Sequence, residues 1–281
     1  MGNTLKTMLL LVVLAFILIW IGGAIGGPRG AVVAFVIALA LNGISYWYSD
    51  RIVLRMYRAQ EIDPGKMPEL YRTVKELSST AGIKPPRLFY TDVPVPNAFA
   101  TGRDPEHAVL CVTKGAIDLL EEKELRAVMA HEIGHVKDRD TLIMTVTVAL
   151  ASAVMMLSYM ARWAAIFGGF SRDSEDSGGI LALVVMSIVA PLAALLVQMA
   201  VSRAREYAAD ARGASISGDP ESLARALEHI SNYAKRSKFN APPQTASLFI
   251  VNPFKPGFVT NLFSTHPPVE ERAKRLRSME L

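Results

Sequence analysis

Four long apolar runs constrain this chain more than any other feature. They extend from about Met8 to Ile25, Ala31 to Tyr48, Leu142 to Ala161 and Gly179 to Val201. As a helix, each is long enough to cross the ~30 Å hydrocarbon core of a bilayer. Charged residues make up 20% of the 281 and are absent from all four runs. Such segregation excludes an ordinary soluble domain and predicts a membrane protein with a water-facing part.

The breaker Gly26-Gly27-Pro28-Arg29-Gly30 between the first two runs predicts a tight helical hairpin. The first run is too long for the core of a secretory signal, and no Ala-x-Ala site follows it. Pro191 interrupts the fourth run, where a lipid-embedded helix tolerates a kink. Basic residues near the runs favour one side, with Lys6, Arg51, Arg55, Arg58, Lys137, Arg139, Arg203 and Arg205 against Arg29, Arg162 and Arg172. That asymmetry places both termini in the cytoplasm. The net charge of +4 is modest and concentrated beside the runs, so nucleic acid is not an expected partner. Cys111, the single cysteine, sits in an apolar stretch and reads as a buried thiol.

The water-facing segments have their own periodicities. A helix is expected from about Lys66 to Thr80, because Met67, Leu70, Val74 and Leu77 recur at helical spacing. The stretches Arg87 to Tyr90, Ala98 to Thr101 and His107 to Val112 suggest a small antiparallel sheet. Helices from Glu122 to Val136, from Asp219 to Ser237 and at the end of the chain complete the expectation, with an ordered loop over 240–268. The fold class expected is a mainly α membrane protein. It has four transmembrane helices in two hairpins (1–50 and 141–201) and a cytoplasmic α+β domain in two parts, 51–140 and 202–281.

His131-Glu132-Ile133-Gly134-His135 puts two imidazoles one helical turn apart on one face, with a carboxylate beside them. This is the spacing needed to hold one Zn²⁺, with Glu132 as general base. A catalytic zinc takes a third protein ligand and keeps a position open. Glu206 and Asp210, at i and i+4 just after the fourth run, offer one: Glu206 as ligand, Asp210 to orient a ligand histidine. Read alone, that pair is an ordinary solvated helix face with Arg203 and Arg205. Two hairpins would bring both motifs to the same membrane face.

Taken together, His131 to His135, Arg205 to Asp210, Asn97-Ala98-Phe99-Ala100 and Ser264-Thr265-His266-Pro267-Pro268 resemble the HtpX-like membrane zinc metalloproteases over essentially the whole chain. The resemblance implies a zincin-type endopeptidase of the inner cell membrane, with one Zn²⁺ per chain, that degrades misfolded or damaged membrane proteins under stress. It also implies that Asn97, Ala98, Phe99 and Ala100 form an edge strand that binds substrate, for which a plain turn and strand is an equal reading. His266 would then steady the oxyanion, or else only cap the last helix. A metal-binding scaffold without proteolysis and a prenyl-protein processing protease are the alternative functions; Glu132 argues against the first and the small number of spans against the second.

Overall fold

The computed structural model describes residues 3–148, 203–236, 245, 248–251 and 267–280. Most of the third run, all of the fourth, and His266 lie outside the described residues.

Helical backbone runs through α1 (Asn3–Met56), Pro28 included. The helix is not straight. Asn42 Nδ2 donates to the carbonyl of Leu11 at 3.3 Å across 31 positions, which a straight helix would hold about 46 Å apart. The reversal falls at Gly27, whose φ of +59° lies in the left-handed region that a residue without Cβ enters freely. The sequence breaker is thus confined to one residue, with two legs lying side by side around it. Among the described residues, one helix, Gly27–Met56, is long and apolar enough to cross a membrane. Val32, Val33, Phe35, Val36 and Leu39 on it stand exposed, as side chains do where lipid is the solvent.

Past α1 the chain builds a four-stranded sheet in the order β1-β2-β4-β3, from β1 (Gln60–Glu61), β2 (Arg87–Thr91), β3 (Ala98–Thr101) and β4 (Val109–Thr113). The expected antiparallel sheet is corrected to a mixed one: β3 pairs antiparallel with β4, but β2 pairs parallel with it. The residues between β2 and β4 include β3 itself, which takes the outer edge. That detour is a crossover long enough to return the chain in the same direction. β4 is buried along its whole length, as befits an inner strand reading Val-Leu-Cys-Val-Thr.

The described residues also form the helices α2 (Pro68–Ala81), α3 (Lys114–Leu119), α4 (Glu122–Lys137), α5 (140–148), α6 (Arg203–Ser217) and α7 (Pro220–Arg236). A last helix, α8 (Val269–Arg277), closes the chain. α4 is the central one, in contact with α2, β3, β4, α6 and α7. Its start is fixed by the Glu124 carboxylate, which accepts from the Glu121 N–H at 3.1 Å. Val128, Met129, Ala130 and Ile133 fill the core it shares with Leu77, Leu110, Leu223 and Leu227. Asp219 caps α7, accepting from the Ser222 N–H at 2.9 Å.

Candidate active site

Helical spacing brings His131 and His135 to one face of α4, their rings 4.8 Å apart and nearly perpendicular. α6 lies across that face. Glu206 Oε2 is 3.9 Å from His131 Nε2, and Glu206 Oε1 is 3.7 Å from His135 Nε2. All three residues are buried, with their ligand atoms within 4.8 Å of one another. Tetrahedral N and O ligands around Zn²⁺ stand about 3.3 Å apart, so a slight contraction of this triangle would seat an ion.

The close approach of the two helices depends on Gly213. A Cβ there would come within 2.7 Å of His131 Cα and 2.8 Å of its nitrogen. Only glycine lets α6 run so near the histidine that Glu206 reaches over it.

The outer nitrogens of both imidazoles meet carboxylates, which turns their inner nitrogens toward the common centre. His131 Nδ1 lies 3.0 Å from Asp210 Oδ1, and His135 Nδ1 lies 3.1 Å from Asp140 Oδ2. Asp210 is in turn held by the fully buried Arg272, whose Nη1 also stands 3.5 Å from Glu206. Burial opposes ionisation of Asp210, yet Arg272 and His131 outweigh it and hold the carboxyl well below its usual range.

Burial likewise opposes a charge on His135, but the hydrogen bond to Asp140 and the fields of Glu206 and Glu132 push it up to about 9. Glu132 moves upward too, chiefly through burial, with both histidines pulling against that shift. Four buried carboxylates, Glu132, Asp140, Glu206 and Asp210, converge on two imidazoles and the Arg272 guanidinium. Such a surplus of negative charge suits a divalent cation, and the donor set of two nitrogens and one carboxylate fits a metal of the zinc type.

Glu132 lines the same centre, and its Oε2 accepts from the Ala100 N–H of the sheet at 2.9 Å. Ala98 to Ala100 therefore lie in the edge strand β3, immediately beside Glu132. Asn97 precedes the strand with its side chain buried and turned elsewhere. Its Nδ2 donates to the Leu248 carbonyl at 2.9 Å, and its Oδ1 accepts from the Ile250 N–H at 3.0 Å. The segment 248–250 thereby lies over the centre. With Phe99, Met144 and the four α4 and α6 residues it encloses a cavity of about 10 Å³, room for about one water or ion.

The structure thus brings together His131, Glu132, His135, Glu206, Asp210 and the stretch from Asn97 to Ala100. His266 lies outside the described residues. Two contributors escaped the sequence reading. Asp140 follows Arg139, whose left-handed φ of 58° turns the chain after α4 and aims the carboxylate back at His135. Arg272 sits on the apolar stripe Val269, Ala273, Leu276 of α8. A basic residue on that face was the available signal.

Peptidase family M48 matches residues 64–280. A protein described as protease HtpX homolog from Syntrophobacter fumaroxidans is 51% identical over 282 residues, covering 99% of this chain and 100% of the relative. Another of that description from Thermococcus kodakarensis is 49% identical over 278 residues, covering 98% and 95%. The crystal structure of S. mikatae Ste24p superposes on 87% of this chain and 57% of its own, with 20% identity and a TM-score of 0.47.

Proposed function

The chain belongs to peptidase family M48, among its HtpX proteases, and from that membership we propose how its residues divide the work of peptide hydrolysis. It is a membrane metalloendopeptidase. The metal in this reading is one Zn²⁺ held by His131, His135 and Glu206. When bound it supplies Lewis acidity, polarising a peptide carbonyl and making water easier to deprotonate.

Glu132 is the general base. It takes the proton of the attacking water and hands it to the amine that leaves, so it must be ionised before attack and protonated before release. The Ala100 N–H favours the ionised form and fixes the carboxylate beside the metal ligands. Asp210 and Asp140 keep the two imidazoles in the tautomer that presents Nε2 inward. β3 offers main-chain groups to an extended peptide, a recognition mode tolerant of sequence. His266 is assigned to the oxyanion on the strength of the resemblance alone.

The placement proposed is four spans in two hairpins, 1–50 and 141–201, with segments 51–140 and 202–281 forming the protease domain on the cytoplasmic side of the cell membrane. Supporting it are the paired legs of α1 and the excess of basic residues flanking the runs on one side. The substrates proposed are misfolded or damaged membrane proteins, cleaved under stress.

The observation that carries the chemical reading is the convergence of His131, His135 and Glu206 with Glu132 held alongside. The full chain in detergent is stripped of metal, reloaded with Zn²⁺ and given an unfolded reporter protein. Wild type with zinc should cut. Glu132→Gln should bind one equivalent of zinc and not cut, since the amide oxygen can still accept from Ala100. Loss of zinc from that variant, or cleavage by it, would falsify the role given to Glu132.

A further inference from the structure

Away from the catalytic centre, an open cleft of about 740 Å³ lies between the end of α1, the approach to β2 and the connection from β3 to β4. Its charge is lopsided: Arg51, Arg55, Lys84, Arg87 and Arg103 line it, against Asp50 and Glu106. Two of the cations are partly engaged. Arg87 stands 3.7 Å from Glu61 and 4.0 Å from Asp50, and Arg103 stands 3.4 Å from Asp104. Arg51, Arg55 and Lys84 are exposed and make no ion pair among the described residues.

The position of the cleft matters as much as its charge. Val36, Ala40, Ile44, Trp47, Arg51 and Arg55 follow one another at intervals of three and four, so they share one face of α1. The apolar members are exposed, Val36 at 58%, Ile44 at 49% and Trp47 at 57%. Among the described residues an exposed apolar stripe therefore runs along this helix and ends in a cationic cleft. At the junction, Trp47 carries the Arg103 guanidinium over its ring, 5.0 Å from the centroid. Indole rings favour that boundary between hydrocarbon and headgroup.

We propose that this cleft is a binding site for the headgroup of an anionic phospholipid, with the acyl chains lying along the exposed stripe of α1. The phosphate is held by Arg51, Arg55 and Lys84, while the exposed ring of Trp47 in the lining meets the glycerol end of the chains. A free inorganic anion would use the cations but neither the stripe nor so large a volume. The inference rests on α1 crossing a membrane and is independent of the catalytic chemistry, so its test needs no turnover.

The test is native mass spectrometry of the full chain in detergent, offered phosphatidylglycerol and phosphatidylcholine in equal amounts. Wild type should retain phosphatidylglycerol several-fold over phosphatidylcholine, and millimolar inorganic phosphate should not displace it. The variant Arg51→Gln/Arg55→Gln/Lys84→Gln should lose the preference. Lys66→Gln/Lys75→Gln/Lys123→Gln, with the same charge removed outside the cleft, should keep it. Arg51→Lys/Arg55→Lys should also keep it, separating loss of charge from loss of fold. Equal retention of both lipids by wild type, an equal effect of the two triple variants, or displacement by phosphate would each overturn the proposal.

Discussion

Arg272 grips Asp210 with two hydrogen bonds, Nε to Oδ2 at 2.8 Å and Nη2 to Oδ1 at 2.7 Å, across 62 positions of sequence. The same guanidinium donates through Nη1 to the Ile250 carbonyl at 2.6 Å. One side chain thus joins α8, α6 and the segment over the active centre, and through Asp210 it reaches His131 on α4. The planar fork of five donors can make three such bonds to two partners at once, a geometry that an ammonium cannot match.

Replacing Arg272 by Met leaves the Asp210 carboxylate buried without its counter-charge. Breaking a buried pair from one side typically costs about 3–5 kcal/mol, so the melting temperature should fall sharply. Metal affinity should also drop, by about ten- to a hundredfold, because Asp210 no longer holds the His131 ring. Arg272→Lys should recover only part of either loss, keeping charge but not the fork. Thermal melts and zinc titrations in detergent measure both, and a melt unchanged in Arg272→Met would refute the argument.

The contrast between His131 and Arg272 explains what was legible in the sequence. His131, Glu132 and His135 are local: one turn of helix sets their relation, and spacing alone reveals it. Glu206 and Asp210 were readable because their own i, i+4 spacing again fixes a face. Arg272 reads locally as one more cation beside Lys274, Arg275 and Arg277, and its partner is set by how α8 docks on α6. Asp140 was hidden for a related reason, since its aim depends on the left-handed turn at Arg139. The parallel pairing of β2 with β4 was equally out of reach, because alternation within a strand specifies its faces and not its neighbours.

Gly213→Ala tests the close approach of α6 to α4. The added methyl would lie 2.7 Å from His131 Cα and 2.8 Å from its nitrogen, both backbone atoms of a buried helix. They cannot step aside as the tip of a long side chain would, so the helices must separate. Overpacking of this kind costs about 1–3 kcal/mol, and the separation would also draw Glu206 from the histidines. Weaker zinc binding with a lower melting temperature is the expected outcome. Gly43→Ala, where an added Cβ meets nothing within 4 Å, should leave zinc binding unchanged. Equal behaviour of the two variants would show that the glycine at 213 is not what permits the approach.

Cys111 offers a pH-dependent prediction away from the metal. It is fully buried in β4, and burial pushes its thiol up to about 12. An unfolded cysteine ionises near 8.5, so between those values the unfolded chain sheds a proton that the folded chain keeps. The folded pKa is the raised one. Its contribution to stability is therefore complete below about pH 8.5 and is lost as pH rises toward 12, with a slope of up to about 1.4 kcal/mol per pH unit. Denaturation followed from pH 8 to 11 should show Cys111→Ala with a shallower alkaline decline than wild type. At pH 8.5 the native chain should also resist iodoacetamide while the denatured chain is labelled, because the thiolate is the reactive species. Rapid labelling of the native chain, or parallel declines for the two proteins, would mean that the thiol is reached by water and that β4 opens at a cost far below that of global unfolding.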